Sequence, residues 1–140
     1  MRNKILSPQS LNTDLAALLL RLVFGGLFTW HGLDALMHYK LYLSMSKSTI
    51  GLGANLEFNL VVFSQFFCGI FIAVGFLTRL SVIPIFIAMS VAFLIAHHGQ
   101  PFMAKELPFA YWLLCLPVFV LGSGKYSLDA LLFGKKKNSY

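Results

Sequence analysis

The chain has 140 residues, of which 58% are apolar, 15% aromatic and only 11% charged, with a formal net charge of +6. An average soluble domain is about a quarter charged, so an ordinary soluble domain is excluded, as is a disordered chain, which would be poor in apolar residues. The length suits one domain, here residues 1–140, and holds about four membrane crossings of roughly 20 residues each.

The basic charge does not read as a nucleic-acid footprint. Arg2 and Lys4 lie at one end, and Lys135, Lys136 and Lys137 at the other. Charge crowded beside apolar segments orients a protein in a membrane. The cysteines, Cys68 and Cys115, sit inside apolar runs and form no CxxC, which excludes a secreted disulfide framework. The N-terminus stays polar up to Asp14, unlike a cleaved signal peptide, so the first apolar run is read as a retained helix.

That run covers about 15–37 and is interrupted by Arg21, His31 and Asp34. Thr13 or Asp14 offers an oxygen to cap its start. Arg21 lies about two turns in, close enough to snorkel back to the near surface. The connection from Lys40 to Glu57 is too apolar for a free linker and reads as part-helical. The second run covers about 58–77, the third 81–96 and the fourth 107–121. Pro84 falls in the first turn of the third helix and Pro108 at the start of the fourth, where a missing amide costs nothing. Pro117 lies inside the fourth and should kink it, and Gly122 and Gly124 stop it. Residues 127–133 (SLDALLF) read as a short interfacial helix capped by Ser127, with Asp129 at its positive end. The apolar runs do not alternate, as a membrane barrel requires. The expected fold is therefore all-α: a four-transmembrane-helix bundle with a short C-terminal interfacial helix. Small residues at four-residue spacing (Gly69 and Ala73, then Ala88, Ala92 and Ala96) predict close helix approach.

Four crossings place His31, Asp34 and His38, Gln65, His97 and His98, and Glu106 at one end of the bundle. His31 and Gln65 lie within apolar runs, where a polar side chain is expensive and faces the bundle interior or a cavity. Two histidines and a carboxylate can bind a metal, but the spacing matches no short motif and no metal site is assigned. Haem between His31 and His97, or a redox pair of Cys68 and Cys115, are weaker readings. His31, Gln65 and His97 beside Trp30 form the candidate cofactor-binding set. Its donors, with an apolar slot, suit a quinone head group.

The chain resembles the DoxX family of small four-helix membrane proteins. The carriers are LLLRLVFGGLFTWHG at 18–32, GIFIAVGFLTRL at 69–80, the His-bearing end at His97, and LGSGKYSLDALL at 121–132. The resemblance implies an integral protein of the bacterial inner membrane, in a family that includes subunits associated with thiosulfate:quinone oxidoreductase and partners in thiol-redox complexes. Members often carry Glu where this chain has Gln65, and Lys where it has Ala35; an amide cannot ionise but still hydrogen-bonds a quinone. The leading expectation is a small subunit or partner of a quinone- or thiol-linked membrane redox system. The alternatives are a non-catalytic assembly or scaffold protein and a small-molecule transporter, which at this length would need to form a homo-oligomer.

Arg2, Lys4, Arg79, Lys125 and Lys135 to Lys137 share one side, seven cations, against Lys40, Lys47 and Lys105 on the other. The positive-inside rule then puts both termini in the cytoplasm. A reporter enzyme that works only in the cytoplasm, fused to the C-terminus, is expected to be active; activity solely of an externally working reporter would reverse the orientation.

Overall fold

The structure is a computed structural model and describes Pro8 and residues 12–134. The terminal cations Arg2, Lys4 and Lys135 to Lys137 lie outside the described residues. The elements are α1 (Thr13–Met37), α2 (Tyr39–Met45), α3 (Ala54–Val74), α4 (Thr78–Ala96), α5 (Phe102–Leu121) and α6 (Leu128–Phe133). Four of them, α1, α3, α4 and α5, are long and apolar enough to cross a membrane, and no strand occurs among the described residues. The protein is a multi-pass, all-helical membrane protein.

Helix boundaries differ from expectation where the capping group comes from elsewhere. Asn12, not Thr13 or Asp14, caps α1: its side-chain oxygen accepts the Asp14 and Leu15 amides at 3.0 and 3.1 Å. Asp14 instead accepts the Lys125 amide at 3.1 Å, tying the start of α1 to the segment before α6. Helix α4 begins at Thr78 because the Asp129 carboxylate accepts the amides of Leu77 (2.8 Å) and Thr78 (3.4 Å). Helix α5 begins at Phe102, directly after an extended Pro101. Pro84 and Pro108 therefore lie inside their helices, not at their starts. Each removes one rung of the backbone ladder.

Helices α1 and α3 touch backbone to backbone, as the Gly69 and Ala73 spacing predicted. A Cβ on Gly25 would stand 2.6 Å from the Ala73 nitrogen and the Gly69 oxygen. One on Gly32 would stand 2.6 Å from the Phe66 nitrogen. Between them and α4 and α5 lies the core, built on Phe24, Phe28, Ile72, Ile85 and Val118. Both cysteine thiols are unbonded and buried in that cluster.

The end nearest the termini is tied by a polar knot. Arg21 does not snorkel; it is buried, and its guanidinium donates to the carbonyls of Ala73 (3.4 Å) and Tyr126 (2.5 Å). The partners sit on α3 and on the chain leading to α6, so the arginine joins three segments without leaving the bundle. Asp129 lies in the first turn of α6 as expected, and Ser127 caps that helix through the Ala130 amide. The Asp129 carboxylate serves α4 more than its own helix. Burial pushes its pKa up, but the Ser123 hydroxyl, the Leu77 and Thr78 amides and the Arg21 charge outweigh this and hold it below the ordinary carboxylate value.

The glycines of α1 give a paired test. Gly25→Ala is expected to destabilise the bundle by about 1–3 kcal/mol, the usual cost of overpacking. Gly26→Ala, where nothing lies within 4 Å, is expected to be neutral or slightly stabilising. Unfolding midpoints in mixed detergent would check both, and equal effects would refute the α1–α3 contact.

Candidate functional site

At the end of the bundle away from the termini, the four long helices enclose a cavity of about 800 Å³. Its floor is Phe28 and His31 of α1 with Pro108 and Tyr111 of α5. One wall is the first half of α3, through Ser64 and Gln65. The other is α4 from Pro84 onward, through Ala88, Ala92 and Ala96. The second small-residue stripe thus lines the cavity, and its Ala88 also packs against the core. The wall residues Leu60 and Phe63 (51% and 53% exposed) and Ile87 (58%) also face outward. The cavity therefore opens sideways between α3 and α4, on the flank where lipid would lie.

Two local features shape it. Residues Ser64–Cys68 of α3 form a π-helical turn. Such a turn carries one extra residue and re-aims the side chains around it, and it recurs at functional sites. Here it sets Gln65 on the cavity. The contact at Gly32, one residue from His31, holds the two backbones together at this level. The internal Pro84 and Pro108 both line the cavity as well.

Three polar side chains reach it without a partner. His31, Gln65 and Tyr111 line the cavity, and among the described residues no side-chain hydrogen bond joins any of the three to a partner; the buried polar side-chain atom left without one is Arg21 Nε. The His31 and Tyr111 rings meet edge to face at 6.2 Å between centroids. Ser64, by contrast, is satisfied by donating to the Val61 carbonyl at 2.8 Å. The other two expected site residues are placed elsewhere. Trp30 is 61% exposed and is not among the lining residues. His97 is half-buried, with Nδ1 2.6 Å from the Ala92 carbonyl of its own helix, and does not line the cavity.

Tyr111 was not singled out from sequence. Its signal was weak: one tyrosine in an aromatic-rich run, although a buried hydroxyl needs a partner. Glu57 was also missed as a site residue. It lines the cavity mouth, and its carboxylate accepts the Ser48 hydroxyl and the amides of Thr49, Ile50 and Leu52.

Asp34, His38 and Tyr42 at this end engage one another. His38 Nδ1 stands 3.2 Å from Asp34, and the Tyr42 hydroxyl donates to Asp34 at 2.8 Å. That hydrogen bond, with the negative charge behind it, raises the Tyr42 pKa. Among the described residues no three His, Cys, Asp or Glu side chains gather as metal ligands.

A family model described as DoxX matches residues 16–98, more than half of the chain. The chain belongs to the DoxX family. The DoxX match spans α1 to α4 and therefore His31, Glu57 and Gln65, while Tyr111 and the α5 wall lie beyond it. This DoxX-family chain matches none of the curated proteins and none of the solved structures compared with it.

Proposed function

We propose that this DoxX-family protein is a small subunit or partner of a membrane redox system, that it binds a quinone head group in the cavity, and that its termini lie in the cytoplasm of a bacterial inner membrane. The observation that carries the reading is the set of three polar side chains, His31, Gln65 and Tyr111, which have no hydrogen-bond partner among the described residues and lie on a largely apolar cavity open to the bilayer flank. A volume of about 800 Å³ lies within the range of small-molecule sites.

The donor set suits both redox forms of a quinone. The oxidised ring has two carbonyl acceptors, which the Gln65 amide, the Tyr111 hydroxyl and the His31 ring N–H can serve. The quinol has two hydroxyl donors, which the Gln65 oxygen and the unprotonated His31 nitrogen can accept. The apolar tail would leave between Leu60, Phe63 and Ile87 into lipid. A thiol-linked reading is less well supported, because Cys68 and Cys115 are buried in the core and a reactive thiol needs an accessible, electropositive setting. A transport role is disfavoured by the packed core and the Arg21 knot below the cavity.

The test is equilibrium binding of a short-tailed naphthoquinone to the protein in nanodiscs, against empty nanodiscs. Saturable binding is expected. Loss of one desolvated hydrogen bond costs about 1–2 kcal/mol, so His31→Ala, Gln65→Leu and Tyr111→Phe should each weaken it roughly 5–30-fold. Partition no greater than into empty nanodiscs would sink the proposal.

A further inference from the structure

One loop lines the water-side end of the cavity, and one carboxylate holds that loop. After α2 the chain at 46–53 folds over the cavity, where Ser46, Lys47, Thr49 and Ile50 join Glu57 in its lining. Two glycines, Gly51 (φ 85°) and Gly53 (φ 95°), take the left-handed backbone that few other residues adopt without strain. They bring successive amides round onto a single point. That point is Glu57: Thr49 donates to one of its oxygens at 2.5 Å, and Ile50 and Leu52 donate to the other at 3.1 and 3.0 Å. The Ser48 hydroxyl donates to it at 2.9 Å and accepts the Gly53 amide at 3.2 Å. Few other hydrogen bonds hold the loop: Ser46 is tied back to α2 through Tyr42 and Leu43, the Thr49 hydroxyl donates to Lys47 within the loop itself, and the Glu57 amide donates to the Gly53 carbonyl at 3.0 Å.

We propose that residues 46–53 are a lid latched on Glu57, and that the cavity is consequently loaded sideways from the bilayer, between α3 and α4, by molecules dissolved in lipid and not by water-soluble ones. The inference rests on reading the cavity as a ligand site and adds its route of access and the class of molecule that can enter. The sideways opening at Leu60, Phe63 and Ile87 is bordered by apolar side chains, so a lipid-dissolved amphiphile passes it without losing hydration. A charged solute would have to shed its water there, which is costly. Glu57 is the group on which release depends, since its two oxygens collect all four donors.

The experiment places a reporter thiol at Ala88→Cys, on the α4 wall of the cavity, in protein reconstituted into liposomes. The two native cysteines are buried, and the unsubstituted protein supplies the background. A permanently charged methanethiosulfonate is expected to label Ala88→Cys slowly, and a lipid-soluble maleimide quickly. Adding Glu57→Gln removes the charge and turns one acceptor into a donor. It should speed the charged reagent about tenfold or more by raising the open population, and change the lipid-soluble one little. Ser48→Ala, which deletes one donor and spares the carboxylate, should give a smaller increase; it decides the matter if Glu57→Gln does not fold. Rapid charged labelling with the latch intact, or slow labelling unchanged in both variants, overturns the lid. The naphthoquinone binding measurement is independent of these rates. Binding with no lid effect refutes this inference alone, and a lid effect with no binding refutes the quinone reading alone.

Discussion

In hydrocarbon a polar side chain must find its partner inside the protein, and this constraint orders the whole bundle. Arg21 meets it at its two terminal nitrogens, which two carbonyls from distant segments take while Asp129 lends an opposite charge; its Nε stays buried without a partner. Glu57, at the water-side end of the cavity, collects four donors from a loop. His31, Gln65 and Tyr111 find no partner among the described residues, although they line a largely apolar cavity. One end of the molecule is a closed knot of polar groups that stabilises the fold. The other holds unspent hydrogen-bonding capacity, which is what a binding site requires.

The cavity follows from how the helices are spaced. Glycines bring α1 and α3 into backbone contact from Gly25 to Gly32. With those two helices locked, the first half of α3 and the second half of α4 stand apart, and the alanines of α4 leave the space between them unfilled. The π-turn at Ser64–Cys68 brings Gln65 onto that space. A bundle packed by large side chains at every level would have no such opening. The aromatic rings of Phe86 and Phe93, stacked on Trp112, and of Phe109, tilted against Phe93 and Trp112, join α4 to α5 and brace the wall opposite α3.

Much of the fold was legible in the sequence. Apolar runs of membrane length disclose four helices, and local signals mark the ends that are set locally: Ser127 as a cap, Gly122 and Gly124 as stops. The ends set by distant partners were not legible. Asp129 caps α4 from 52 residues away in sequence, and Arg21 reaches Tyr126 across 105, so neither the start at Thr78 nor the burial of the arginine could be read from neighbours. At the site, His31 and Gln65 stood out because a polar residue in an apolar run is costly. Tyr111 did not, since an aromatic residue there is ordinary and only the packing of α5 puts its ring beside His31. His97 entered the set by its place at the end of the third apolar run, but its ring closes on its own helix backbone.

Membership of the DoxX family fixes the kind of molecule and leaves its chemistry to be read from the side chains, because a fold does not by itself carry an activity. The central claim is that the partnerless trio marks a ligand site entered from lipid. Its most direct test is photolabelling in native membranes with an azido-quinone, followed by peptide mapping and competition by unlabelled quinone. Competed label on the cavity-facing stretches, 58–65 of α3 and 84–92 of α4, is predicted. Label spread without competition over lipid-facing positions such as Val23 and Val120, which are remote from the cavity lining, would contradict it.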